Sequence, residues 1–292
     1  MHLMKFLEYI GFRFVVVLFY IIPYKLLYII SDFFYFIIFK VLKYRRNVVF
    51  DNLRRSFPKK TEDEIITLTK KFYKHLADIS LESIKGMTIS EKNLKKRYQV
   101  LNTEITDEYF SKNESILCFT SHYGNWEYGI LATAHALKHQ AVALYLPLTN
   151  KYSEKYGLKK RSRFGTLMVA VQDAKNLFSK TLERPNAIIL AADQNPSNPE
   201  KSIWVNFLNR VTACLHGPEA YSKKTNFPVV YFKISKPKRG YYTLEIEKLI
   251  DNPSSYAPGE ITQIYMKKLE EDILEKPEYW LWSHRRWKHT KN

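Results

Sequence analysis

His122 and Glu127, separated by four residues in Ser121-His122-Tyr123-Gly124-Asn125-Trp126-Glu127, are the residue pair best suited to acid–base chemistry. An imidazole that donates from one ring nitrogen to a carboxylate keeps the other nitrogen free to take a proton. In this reading His122 is the general base and Glu127 its orienter. Gly124 and Asn125 give the backbone the freedom to bend between them. The same spacing does not suit a metal: an i,i+5 pair does not stack on one helical face, and no His-Glu-x-x-His occurs. The other histidines show no paired ligand spacing, so neither metal nor cofactor is expected.

Such a pair needs a strand to end in front of it and a helix to begin behind it. Residues 116–119 form a short apolar run that reads as the strand, and a helix opens at about Trp126. A strand over 141–146 follows, then a basic helix from Asn150 that ends near Lys159-Lys160-Arg161, a helix over 171–182, and a strand over 187–192 that runs into Asp193-Gln194. Strands alternating with helices predict an α/β fold, a mixed central sheet flanked by helices. The two polar strand ends, at His122 and at Asp193, then share the edge where ligands usually sit. Upstream, residues 48–57 carry a helical stripe stopped by Pro58. Thr61 opens a second helix with Ile65, Leu68, Phe72, Leu76 and Ile79 on one face. Lys92 to Arg97 reads as a solvated charge run. Downstream come a helix start at Gly217-Pro218, strands over 229–234 and 241–247 across a turn at 238–240, a helix over 261–275 and a Trp-rich tail.

No Pro/Gly/Ser-rich linker divides the 292 residues, which read as an N-terminal membrane anchor (1–43) and one domain (44–292). Two apolar runs, 14–22 and 26–39, flank Pro23; each is shorter than the ~20 residues of a straight span, so they form one kinked span or a hairpin in one leaflet. The basic cluster Lys40, Lys43, Arg45 and Arg46 then holds the following domain at the cytoplasmic face. The formal charge of +17 calls for an anionic partner, and charge alone does not choose among nucleic acid, membrane, acidic protein and phosphorylated substrate. The chain carries no RNA-recognition signature and no phosphate-cradling glycine loop, and its N-terminus is apolar, all of which argue against nucleic acid. Cys118 and Cys214 offer no disulfide framework and suit a reducing compartment.

The central block resembles the His-x4-Asp/Glu motif of glycerolipid-type (lysophospholipid acyltransferase-like) acyltransferases. In its Tyr-Gly-Asn-Trp-Glu form it is similar to the bacterial lipid A late acyltransferases, the lauroyl/myristoyl transferase family. The likeness runs through most of the chain in the family's order. It takes in Asn52-Leu53…Phe57-Pro58, Arg161-Ser162-Arg163-Phe164-Gly165, Ala192-Asp193-Gln194…Pro196, Asn206-Phe207-Leu208…Thr212…Gly217-Pro218, Lys224-Thr225…Pro228-Val229 and Trp280 to Lys288.

The resemblance implies transfer of a fatty acyl chain from an acyl carrier protein thioester to a hydroxyl of a lipid A precursor, at the cytoplasmic face of the inner membrane. His122 would be the base and Glu127 its orienter, with Asn125, Arg163, Asp193 and Gln194 binding substrate. Donors for the thioester oxygen would come from the first turn of the Trp126 helix or from Arg163. Lys159 and Lys160 would offer the acidic carrier a docking surface. Cys214-Leu215-His216 and Leu208-Asn209 depart from the family pattern and leave chain length and acceptor open. A phospholipid or aminolipid acceptor, a coenzyme A donor, and a non-enzymatic basic membrane-binding protein are the alternatives.

Overall fold

Nine strands organise the computed structural model, which describes residues 2–177 and 184–291. In chain order they are β1 (Tyr98–Leu101), β2 (Ile116–Thr120), β3 (Gln140–Tyr145), β4 (Leu167–Ala170), β5 (Asn186–Ala191), β6 (Ile203–Phe207), β7 (Arg210–Cys214), β8 (Val229–Lys238) and β9 (Tyr241–Ile250). Seven of them form one sheet in the order β1-β9-β8-β2-β5-β3-β4, and β6 and β7 pair as a separate antiparallel hairpin. Every pairing in the large sheet is parallel except β8 with β9, so the sheet is mixed, as expected. β2, at its centre, is buried at all of its positions, which is why its sequence is an unbroken apolar run with no alternation.

The helix after Thr61 spans Glu62–Gly86, and its start is the reciprocal capping box that Thr61 and Glu64 announce. The helix behind β2 spans Trp126–Ala136, and the basic helix Lys151–Arg161 is capped by the Asn150 side chain. The charge run is itself a helix, Glu91–Arg97, capped by Ser90 and seated by buried Leu94. Of the helix expected over 171–182, a 3-10 turn (Val171–Asp173) and a short helix (Ala174–Leu177) are present; residues 178–182 lie outside the described residues. β1, β4, the β6–β7 hairpin and the helix Glu104–Ser111 were not anticipated.

The N-terminal runs form two helices, His2–Ile21 and Tyr24–Phe36, hinged at Pro23. Among the described residues no helix is long and apolar enough to cross a membrane, and both helices of the pair instead contact the helix Glu62–Gly86. One side of the pair is fixed to the body. Phe19, Ile22 and Leu27 pack on Leu81. The Lys85 ammonium donates to the carbonyls of Phe19 (2.7 Å), Tyr20 (2.9 Å) and Ile22 (2.8 Å), satisfying acceptors that a helix C-terminus leaves open. Ser31 donates to Asp78, and Arg239 bridges Asp78 to Asp32. The other side leaves Leu7, Ile10, Phe14, Ile29 and Phe33 exposed.

Candidate acid–base site

β2 and β5 are parallel neighbours with Thr120 opposite Ala191. His122 and Asp193 each follow two residues later, so strand pairing alone brings them together at the carboxyl edge of the sheet. His122 Nδ1 lies 2.7 Å from Asp193 Oδ1. The other carboxylate oxygen accepts the His122 backbone N–H (3.0 Å) and the Trp280 indole N–H (2.9 Å). With Nδ1–H given to Asp193, Nε2 keeps its lone pair, and the Gln194 amide nitrogen stands 3.3 Å from it. Trp126 packs edge-on against the imidazole, with centroids 5.1 Å apart.

Burial works to lower the His122 pKa, but the charge and hydrogen bond of Asp193, aided by the charge of Glu127, outweigh it and the net direction is up. Burial likewise works to raise the Asp193 carboxyl, yet the His122 charge and the bonds from His122 and Trp280 hold it below the usual range. Asp193 is 2% exposed against 21% for the His122 side chain, so the imidazole is the more open of the two and the carboxylate lies beneath it.

Three sequence expectations need correction. Glu127 does not orient His122. It forms a two-bond pair with Arg161, Nε to Oε2 at 3.0 Å and Nη2 to Oε1 at 2.5 Å. Asp193 already fills the Nδ1 position, and a guanidinium fork is the stronger partner for a free carboxylate. Asn125 is turned into the fold rather than toward a substrate: its oxygen caps the helix at the Tyr128 N–H (2.9 Å), its nitrogen donates to Glu82 (2.7 Å), and the residue is buried. Arg163 spends both terminal nitrogens on the carbonyls of Met87 and Ile89 and stacks over Phe164, with burial holding its pKa down. Arg161 instead lines a cleft with Glu127, Met87, Leu131 and Lys160.

The turn after His122 depends on Gly124, whose φ is +61°; a Cβ there would meet Ile234 at 2.5 Å. The Gly124 N–H donates to Tyr279 O (3.0 Å), and Tyr123 bridges to Trp280 in an isolated antiparallel pairing, so the C-terminal tail forms the floor of the site. His284 accepts from the Asn195 N–H, and burial presses its pKa down to about 4. Leu208 and Asn209 make the β6–β7 turn with φ of 49° and 62°, and Cys214 lies 3.1 Å from buried Arg286.

Sequence reasoning missed the roles of Trp280 and Glu82. Glu82 had a signal, since a carboxylate three places after Ile79 continues the apolar stripe of its helix. Among the described residues no three His, Cys, Asp or Glu side chains converge as metal ligands.

A carboxylate-backed imidazole at the carboxyl edge of a largely parallel sheet is the arrangement of an acid–base catalyst on an α/β fold. The model of the family described as bacterial lipid A biosynthesis acyltransferase matches residues 1–289, essentially the whole chain, and the protein belongs to that family. It is therefore a member of an acyltransferase family acting in lipid A biosynthesis. No curated protein matches the chain.

Proposed function

We propose that the protein transfers a fatty acyl chain from an acyl carrier protein thioester to a hydroxyl of a lipid A precursor, on the cytoplasmic face of the inner membrane, with His122 as general base. The observation that carries the mechanism is the 2.7 Å contact between His122 Nδ1 and Asp193, which leaves Nε2 as the acceptor. A hydroxyl has a pKa far above neutral and attacks poorly until a base takes its proton, an effect worth ~10²–10⁴ in rate. Nε2 takes that proton as the hydroxyl oxygen bonds to the thioester carbon. The tetrahedral adduct then collapses with cleavage of the C–S bond, and the imidazolium returns the proton to the leaving thiolate, giving ester and carrier thiol. Asp193 fixes the tautomer and stabilises the transient imidazolium. The developing oxyanion calls for donors, and the first-turn N–H groups of Trp126–Ala136 and the Arg161 guanidinium are of the right kind. The exposed apolar side of the N-terminal helices and the basic residues from Lys40 to Arg46 support attachment to an anionic membrane surface.

Purified full-length protein, given acyl carrier protein and coenzyme A thioesters with a panel of lipid acceptors, is expected to esterify a lipid A precursor and to prefer the carrier-bound donor. Transfer to a phospholipid or aminolipid alone would move the acceptor elsewhere, and absence of transfer to any of them would remove the enzymatic reading. Cell fractionation is expected to recover the full-length protein with membranes; recovery in the soluble fraction at low salt without detergent would remove the anchor.

A further inference from the structure

Away from His122, the helix His2–Ile21 lies beside the helix Lys151–Arg161 and the two enclose a recess lined by Arg13, Lys155, Lys159 and Lys160 and by tyrosine rings. Four cations from two elements converge there. The two helices contribute one acid each, and both are engaged at the start of the second helix: Glu8 accepts from the Asn150 amide and Glu154 from Lys151. Among the described residues none of the four cations is paired with a carboxylate.

Aromatic and hydrogen-bond contacts hold the walls of the recess together. Arg13 donates from Nη1 to the Tyr9 hydroxyl (2.9 Å) and stacks over Tyr156 at 4.5 Å, which fixes its guanidinium plane and leaves most of its N–H donors unspent. Lys160 lies over the same ring at 5.4 Å. Tyr9 stacks on Tyr152, and Phe6 packs edge-on against Tyr152. Asn150 and Lys5 tie the two helices together through Asn150 Nδ2 to Lys5 O (2.9 Å) and Lys5 Nζ to Thr149 O (3.2 Å). Burial, together with repulsion from Arg163, Arg13 and Lys159, holds the Lys160 pKa down, the expected state of a cation crowded by others with no anion present.

We propose that this recess binds the phosphate group of an anionic lipid, with Arg13, Lys155, Lys159 and Lys160 as its ligands and the lipid's acyl chains lying along the exposed apolar side of the helix His2–Ile21. A phosphate monoester carries close to two charges and acceptor oxygens on several sides, which matches a fork-shaped arginine and lysines arriving from opposite walls. The lipid, rather than free phosphate, follows from the flank: Ile10 and Phe14 on the same helix are exposed at 48% and 69% and continue the apolar stripe begun by Phe6, which is itself 41% exposed beside Tyr152.

The test is binding and does not require turnover, so it stands or falls separately from the acyl-transfer reading. Full-length protein in neutral detergent is titrated with short-chain phosphatidic acid and, separately, with inorganic phosphate. Each titration is repeated on the variant Arg13→Gln/Lys155→Gln/Lys159→Gln and on the control Lys70→Gln/Lys71→Gln/Lys92→Gln, which removes the same charge elsewhere. The wild type is expected to bind the lipid at least ~10-fold more tightly than inorganic phosphate, the recess variant to lose ~10-fold or more, and the control to change less than ~2-fold. Equal losses in both variants would show that net charge alone acts and would overturn the site. Inorganic phosphate binding as tightly as the lipid would overturn the lipid assignment. A recess variant that keeps lipid affinity while losing affinity for acyl carrier protein would make the recess a protein dock.

Discussion

Replacing Asp193 with Asn is expected to lower kcat by ~10²- to 10⁴-fold while the protein stays folded, nearly as severe a loss as His122→Ala. The reason is geometric. One Asp193 oxygen accepts from Nδ1 and the other from two donors, the His122 backbone N–H and the Trp280 indole. An amide has one acceptor end. If its oxygen serves the two N–H groups, its NH₂ faces Nδ1, and the imidazole must carry its proton on Nε2, the atom that has to be empty. If its oxygen serves Nδ1, the NH₂ meets two donors.

The pH dependence carries a second signature. Burial works to lower the His122 pKa, but Asp193 and Glu127 outweigh it and raise it; in the proposed mechanism the base works only when neutral, so activity is expected to fall as pH drops through that raised value. Asp193→Asn removes a charge and shifts the acid limb to lower pH, on a much lower plateau. For stability the sign is the reverse of the carboxylate case. A histidine whose folded pKa is raised contributes stability fully present below its unfolded pKa of about 6.5, and loses it as pH rises through the folded value. Glu127→Gln should shift the limb less, because it leaves the His122–Asp193 contact in place and acts mainly by freeing Arg161. The measurement is kcat and kcat/KM against pH for both variants beside melting curves. A folded Asp193→Asn enzyme at near-normal rate, or a larger limb shift in Glu127→Gln, would return the orienting role to Glu127.

The error over the orienter shows what a sequence can and cannot reveal here. β2 and β5 were legible because strands buried on both faces become unbroken apolar runs, and both were seen to end in polar residues. Their side-by-side register was not legible, and it is register that brings a carboxylate 71 residues away into contact with His122. Proximity along the chain favoured Glu127 instead, although the helix beginning at Trp126 carries it to Arg161 at the end of another helix. β1 and β4 escaped for the opposite reason. They have four residues each and are only partly buried, too short for the alternation of β1 to stand out and without any alternation in β4. Asn125 was singled out correctly as a special residue, but its part is to cap a helix, which composition cannot distinguish from binding a ligand.

That cap leads to Glu82, for which the largest loss of stability is expected. Its carboxylate is fully buried, with Oε1 accepting from Tyr28 (2.8 Å) and Oε2 from Asn125 and Tyr242 (2.7 Å each). These donors come from the N-terminal helix pair, from the start of the helix behind His122 and from β9. Glu82→Ala leaves all three unsatisfied in the interior at about 1–3 kcal/mol apiece, so a loss of roughly 3–9 kcal/mol is expected, a large part of the 5–15 kcal/mol a domain commonly has. Glu82→Gln keeps the shape and one acceptor and should cost less. Neither variant titrates at this position, so the pH dependence belongs to wild type. Burial, the leading influence, raises the Glu82 pKa despite bonds from Tyr242 and Tyr28 that favour the charge. A group whose folded pKa is raised gives stability present below its unfolded pKa and lost as pH rises through the folded one. Wild type should therefore lose stability over that interval, Glu82→Gln should not, and the gap between them should narrow as pH rises. Denaturant unfolding of the three proteins across pH measures this. An alanine variant within about 1 kcal/mol of wild type would mean that water replaces the carboxylate and that the three donors do not depend on it.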